Sequence, residues 1–204
     1  MIKKNPVEFF DDWAKSNKDK GMELNHLTSV NEMLKLCLPK SQSFTFLDAG
    51  CGNGWVVNHV DNVLNCISAS GVDGSKSMIK KAKSNFPNIS FSLSDINQWS
   101  PTESVDIVFS MEVIYYLKDP RQFVKNIYTK WLNKKGVFIC GLDFYFENQL
   151  SHDWPQKYGI NIMNLLNEKE WLDMFAEYFG KKIEIFKVNS KNSLPGTLVF
   201  VCKK

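Results

Sequence analysis

Short apolar runs alternate along the chain with longer amphipathic stretches. "FTFLDAG" (44–50), "CISASGVD" (66–73), "ISFSLSD" (89–95), "VDIVFSME" (105–112) and "KGVFICGLDF" (135–144) read as five strands, since each is a short β-branched or aromatic run bounded by turn residues. Helix-length stretches fall between them, at about 55–65, 75–84 and 119–132. The last opens on Asp119 before Pro120, an N-cap residue followed by proline at the first helical position. "NEKE" at 167–170 has capping-box spacing, and its helix runs to Phe179, where Gly180 stops it. "KKIEIFKV" and "GTLVFVCKK" close the chain and read as an antiparallel hairpin. Ahead of the first strand, residues 6–16 and 25–38 read as helices separated by "NKDKG". The second carries Leu27, Val30, Met33, Leu34 and Leu38 roughly on one face and closes at Pro39. Residues 144–166 show no clear period.

Strand–helix alternation in short units predicts a mostly parallel sheet covered by helices on both faces. A length of 204 residues fits one such domain. Residues 1–38 then read as an N-terminal helical cap and 143–166 as an insertion at the acceptor site. A net charge of +3 is too mild to argue for a nucleic-acid partner. The lysine cluster "KSMIKKAK" (76–83) reads as a solvated helix face. Five cysteines without a CxxC pair point to free thiols in a reducing, cytoplasmic setting. They also lack the ligand spacing of a zinc site, so no metal is expected. No apolar run reaches membrane-spanning length.

Three glycines, Gly50, Gly52 and Gly54, follow the first strand. In an open α/β sheet, ligands bind past the carboxyl ends of the strands. Asp73 ends the second strand, 23 residues after Gly50, where a carboxylate can accept both hydrogen bonds of a ribose diol. Asp95 ends the third strand, with Ile96 beside it to pack on a ring. A dinucleotide site fits less well. Its GxGxxG fingerprint needs glycine where Trp55 stands, and the loop has no basic residue for a pyrophosphate.

The segments "FLDAGCGNG", "GVDGSKSMIKKAK", "FSLSDI" and "VDIVFSMEVIYYLKDP" together resemble the class I S-adenosylmethionine-dependent methyltransferases, in a small-molecule-type member. The resemblance is close over about 44–142 and looser elsewhere. It implies a Rossmann-like seven-stranded, mostly parallel sheet with an antiparallel closing strand. It also implies S-adenosyl-L-methionine as cofactor. Gly50 and Gly52 would border its methionine part, and Asp48 would orient the loop or meet the amino group through water. Asp73 would hold the ribose hydroxyls, with Gly74 beside it and Met78 near the adenine. Asp95 and Ile96 would meet the adenine, and Ser110 and the Met111 backbone would close the amino-acid end. An N-terminal lid of Phe9, Phe10, Trp13, Met22 and His26 follows from the same resemblance.

Methyl transfer from a sulfonium is an in-line displacement that asks the protein mainly to align donor and acceptor. Glu112, at the end of the fourth strand, can bind an acceptor amine, act as a base, or brace the following segment. Of Tyr115 and Tyr116, one is expected to face the pocket and the other the core. Glu112, Tyr116 and His152 are the catalytic candidates, His152 as the proton acceptor nearest neutrality. Asp143, Tyr145, Glu147, Asn148 and Trp154 are further candidate acceptor contacts. The expected activity is methylation of a small soluble acceptor by a monomer or homodimer. The alternatives are an RNA or protein methyltransferase, or a non-catalytic cofactor-binding partner subunit.

Overall fold

The computed structural model describes residues 3–191 and 195–204. Seven strands form one sheet: β1 (Phe44–Ala49), β2 (Cys66–Asp73), β3 (Ser90–Leu93), β4 (Val105–Met111), β5 (Leu132–Leu142), β6 (Ile183–Val188) and β7 (Thr197–Lys203). Their order is β3-β2-β1-β4-β5-β7-β6. Strands β1 to β5 pair in parallel, and β7 runs antiparallel to both β5 and β6. The hairpin expected of the last two strands is therefore seen in their pairing; residues 192–194 of its connection lie outside the described residues.

The helices are α1 (Pro6–Lys15), α2 (Lys20–Cys37), α3 (Trp55–Asp61), α4 (Lys76–Asn85), α5 (Pro120–Asn126), α6 (Trp154–Tyr158) and α7 (Glu168–Phe179). Local chemistry sets their starts. The Asn167 side chain accepts from Glu170 N while Glu170 reaches back to Asn167 N, and Asn5 with Glu8 builds the same box at α1. Asp119 accepts from Gln122 N ahead of Pro120.

Three elements depart from the sequence pattern. The break before α2 is shorter than "NKDKG", since the helix already includes Lys20 and Gly21. The helix expected over 119–132 keeps α-helical bonding only to Asn126, then widens into a π turn over Ile127–Trp131. That turn lets Ile127 and Trp131 both bury completely under the sheet. Within 144–166 there are a 3₁₀ turn at Gln149–Ser151 and the five-residue α6, both too short to display a period.

Two apolar layers cover the sheet. Alternation along β1 sends Phe44 and Phe46 to one face, with Val30 and Met33 of α2, Val57 of α3 and Ile79 of α4. Leu47 and Ala49 go to the other, with Phe123 of α5 and Trp171 and Phe175 of α7. From β1 the chain steps outward through β2 to β3, then returns to place β4 on the opposite side of β1. That reversal opens a crevice beyond the carboxyl ends of β1 and β4.

Candidate active site

The glycine loop leaves the end of β1 with Gly50, Gly52 and Gly54 at φ of 87°, 52° and 85°. These are left-handed backbone angles that side-chain-bearing residues seldom adopt. At Gly50 space is also lacking, because a Cβ would meet Val113 Cγ2 at 2.2 Å. At Gly52 a Cβ would instead rest in ordinary contact with Met22 Cε at 3.7 Å and Met78 Sδ at 4.0 Å, without a clash. The loop is tied to the next strand: Gly50 N and Cys51 N both donate to Val72 O, at 2.8 and 3.1 Å.

Asp73 fixes the loop from the end of β2. Its Oδ2 accepts from Gly52 N at 3.0 Å and its Oδ1 from Ser75 N at 2.7 Å. Burial pushes the Asp73 pKa up, and those two amide bonds pull part of it back. Burial, with the Asp73 charge added, pushes the neighbouring Asp48 well up.

The N-terminal helices fold over this loop through contacts the sequence did not announce. Asp11 of α1 accepts from Ser75 Oγ at 3.0 Å and from Ser77 N at 2.7 Å. Burial works against the Asp11 carboxylate, but Lys15, Ser77 and Ser75 outweigh it and hold its pKa well below the usual range. Asp19, just before α2, is buried and pairs with Lys81 at 2.6 Å and with Asn53 Nδ2 at 3.1 Å. Neither aspartate belongs to a motif, and their roles depend on distant partners.

Between cap and sheet lies a cavity of about 920 Å³. Its wall includes Asp48, Gly50, Gly52, Asp73, Gly74, Met78, Asp95, Ile96 and Met111, so most of the expected cofactor residues converge. Ser110 does not line it; the residue is fully buried and its hydroxyl donates to Ala49 O at 2.9 Å. Asn97, which the sequence reading passed over, does line it, and its buried Oδ1 has no hydrogen-bond partner among the described residues. Phe9, Phe10, Trp13, Met22 and His26 of the expected lid are on the wall as well.

At the β4–β5 end of the cavity stands Glu112, itself at φ 60°. Its backbone N–H donates to Gly141 O at 2.9 Å. One carboxylate oxygen accepts from Tyr115 Oη at 2.6 Å and the other from Asp143 N. Glu112 thus braces its surroundings and faces the cavity at once. Burial, then the charge of Asp143, pushes its pKa well up. His26 Nδ1 lies 3.9 Å from Asp143 Oδ2, and burial lowers the His26 pKa more than Asp143 restores it. Tyr115 and Tyr116 both reach the wall, Tyr115 while fully buried, rather than dividing between pocket and core.

The 143–166 segment contributes less than its composition implied. Asp143 and Trp154 line the cavity, whereas His152 does not. Its Nε2 is 2.8 Å from Phe146 O and its ring packs beside Phe146 at 5.5 Å. Tyr145 Oη donates to Gly196 O, Asn148 Nδ2 to Asp143 O, and Glu147 accepts from Glu168 N at the start of α7. These three hold the segment in place.

Residues 47–140 match the family model described as a methyltransferase domain. A viral protein bearing the name methyltransferase 235L, from Invertebrate iridescent virus 6, is 33% identical over 81% of this chain and 58% of its own length. A trans-aconitate 2-methyltransferase of Escherichia coli is 29% identical over 64% of this chain and 48% of its own. Among solved structures, a chain from the complex of the Haloferax volcanii Trm112 methyltransferase activator with a methyltransferase superposes with a TM-score of 0.81. It is 25% identical, covering 95% of this chain and 96% of that one. With the fold and the glycine-loop cavity, these matches define the class: the chain carries a class I S-adenosylmethionine-dependent methyltransferase domain. It spans between about half and three-fifths of the length of the two relatives matched by sequence. No helix among the described residues is long and apolar enough to cross a membrane.

Proposed function

We propose that the chain transfers the methyl group of S-adenosylmethionine to a small-molecule acceptor admitted to this cavity. The observation that carries the reading is convergence: the glycine loop, Asp73 and the 95–97 turn open into the same space as Glu112 and Asp143. The cofactor fits what is there. About 920 Å³ lies at the upper end of small-molecule pockets and leaves room for an acceptor. Gly52 lies on the cavity wall with no side chain to intrude on a ligand. Each Asp73 oxygen has one amide bond and a further lone pair to offer a ribose hydroxyl. The Asn97 Oδ1, without a hydrogen-bond partner among the described residues and beside Asp95 and Ile96, suits an exocyclic amine at the adenine end.

In this reading Gly50, Gly52 and Asp48 border the methionine part, Gly74 and Met78 flank the ribose and adenine, and Met111 closes the amino-acid end. When bound, the cofactor supplies an activated methyl. The protein aligns the acceptor, excludes water and takes up a proton where one is released. Residues 3–38 serve as the cap that completes the site. Calorimetry with S-adenosylmethionine tests the reading: micromolar binding is expected, and no binding by the folded chain would overturn it.

A second reading adds a partner. The 0.81 TM-score and near-complete mutual coverage with a chain from an activator–methyltransferase complex favour a chain that works with an activator protein. Stoichiometric co-purification of a second protein whose removal abolishes transfer supports it.

A further inference from the structure

We infer that the acceptor is an amine, held as its ammonium by an arc of aromatic rings and the Glu112–Asp143 pair, and methylated on nitrogen. The inference rests on the methyl-transfer reading above and names its substrate class.

The acceptor end is walled by rings from three separate parts of the chain. Phe10 of α1 packs on Tyr116, beyond β4, with centroids 5.2 Å apart, and on Trp13 at 5.9 Å. Trp13 meets Tyr158 of α6 at 6.3 Å. All four line the cavity. Ring faces attract an ammonium strongly once water is excluded, and they do nothing comparable for a carboxylate.

Charge points the same way. Buried carboxylates normally carry a cationic partner. Among the described residues Glu112 has no lysine or arginine partner, and its bonds come from a tyrosine hydroxyl and a backbone amide. Asp143 takes a side-chain hydrogen bond from Thr197 and has His26 at 3.9 Å, and among the described residues neither lysine nor arginine pairs with it. The wall's two lysines, Lys18 and Lys118, are solvent-exposed. A carboxylate acceptor would therefore face two part-buried acids to which, among the described residues, no lysine or arginine is paired, whereas an ammonium would complete the pair.

The chemistry balances with groups in place. The bound ammonium loses one proton to the Asp143–His26 pair, freeing the nitrogen lone pair. That pair forms the new N–CH₃ bond while the methyl–sulfur bond breaks and leaves its electrons on sulfur. The products are an N-methylammonium and a neutral thioether, and the proton passes to solvent.

Matched probes separate the classes: phenethylamine against hydrocinnamate, and tryptamine against indolepropionate. The full chain is assayed for methyl transfer with S-adenosylmethionine, and by calorimetry for probe binding when loaded with S-adenosylhomocysteine. The amines are expected to bind and to be methylated at least about tenfold more efficiently than the acids, a difference of about 1.4 kcal/mol. Glu112→Gln should raise the amine KM about tenfold while leaving cofactor affinity within about twofold. Asp143→Asn, the second variant, should lower kcat more than it changes KM. Preference for the acids, or cofactor binding with no amine bound or methylated, overturns the amine assignment. So does a result in which both variants weaken cofactor binding instead, because the pair would then serve the cofactor's own ammonium. Failure to bind the cofactor at all strikes the methyl-transfer reading and is distinguished by the first titration.

Discussion

Asp73, at the end of β2, accepts the backbone N–H of Gly52 at 3.0 Å, a contact between residues 21 apart. One carboxylate thereby shapes the glycine loop and remains open to a ligand. Asp73→Ala should remove both functions and weaken S-adenosylmethionine binding by about 10- to 100-fold, as expected for losing charge-assisted hydrogen bonds. Asp73→Asn keeps one acceptor oxygen and should fall between. Calorimetry on the three proteins checks the order, and unchanged affinity in the alanine variant removes Asp73 from the site.

The glycines should separate stability from binding. Gly50→Ala combines φ 87° with a contact to Val113 at 2.2 Å, so it should destabilise by about 1–3 kcal/mol or more. Gly52→Ala meets nothing closer than 3.7 Å and should cost only about 1 kcal/mol from its φ of 52°. Its methyl instead sits between Met22 and Met78 on the cavity wall, so it should lose cofactor affinity while staying folded. Thermal melts beside titrations test the contrast.

The cap is attached through Asp11, whose carboxylate takes the Ser75 hydroxyl and the Ser77 amide. Asp11→Asn should raise hydrogen exchange in α1 selectively and weaken cofactor binding, with β1 to β5 unaffected. The sign of its pH effect is fixed. The folded pKa of Asp11 is depressed, so its contribution is present above the ordinary value of 3.8 and lost as pH falls through the folded value. Acid melts of the variant should accordingly run closer to flat than those of the parent.

Glu112 should behave in the opposite sense. Its folded pKa is raised, so the ligand-free protein loses stability from this group as pH rises from 4.5 through the folded value. Glu112→Gln cannot titrate, but it sets an amide donor against the Tyr115 hydroxyl or the Asp143 amide, which costs about 1–3 kcal/mol. The stability gap between parent and variant should therefore narrow as pH rises. A gap that widens instead shows that Glu112 is stabilised as the anion.

Alternation of apolar runs fixed the strands and their parallel pairing, and capping chemistry at Asn167 and Asp119 fixed helix starts, because both depend on residues a few positions apart. The glycine loop was legible for the same reason, as were Asp73 and Asp95, which stand at strand ends that must share one sheet edge. Side chains whose surroundings come from remote parts of the chain were not legible. His152 reads as a base in a polar loop yet turns to Phe146 O, away from the cavity, and Ser110 spends its hydroxyl on Ala49 O. Asp11 and Asn97 carry no motif and reach the cavity region through packing 64 and more residues away or through the turn after β3. The sequence by itself determined the scaffold and the glycine loop at its strand ends. Only the tertiary structure brought α1, α6 and the ends of β4 and β5 together around Glu112, because ring contacts and burial of a carboxylate are set by three-dimensional packing that no local spacing encodes.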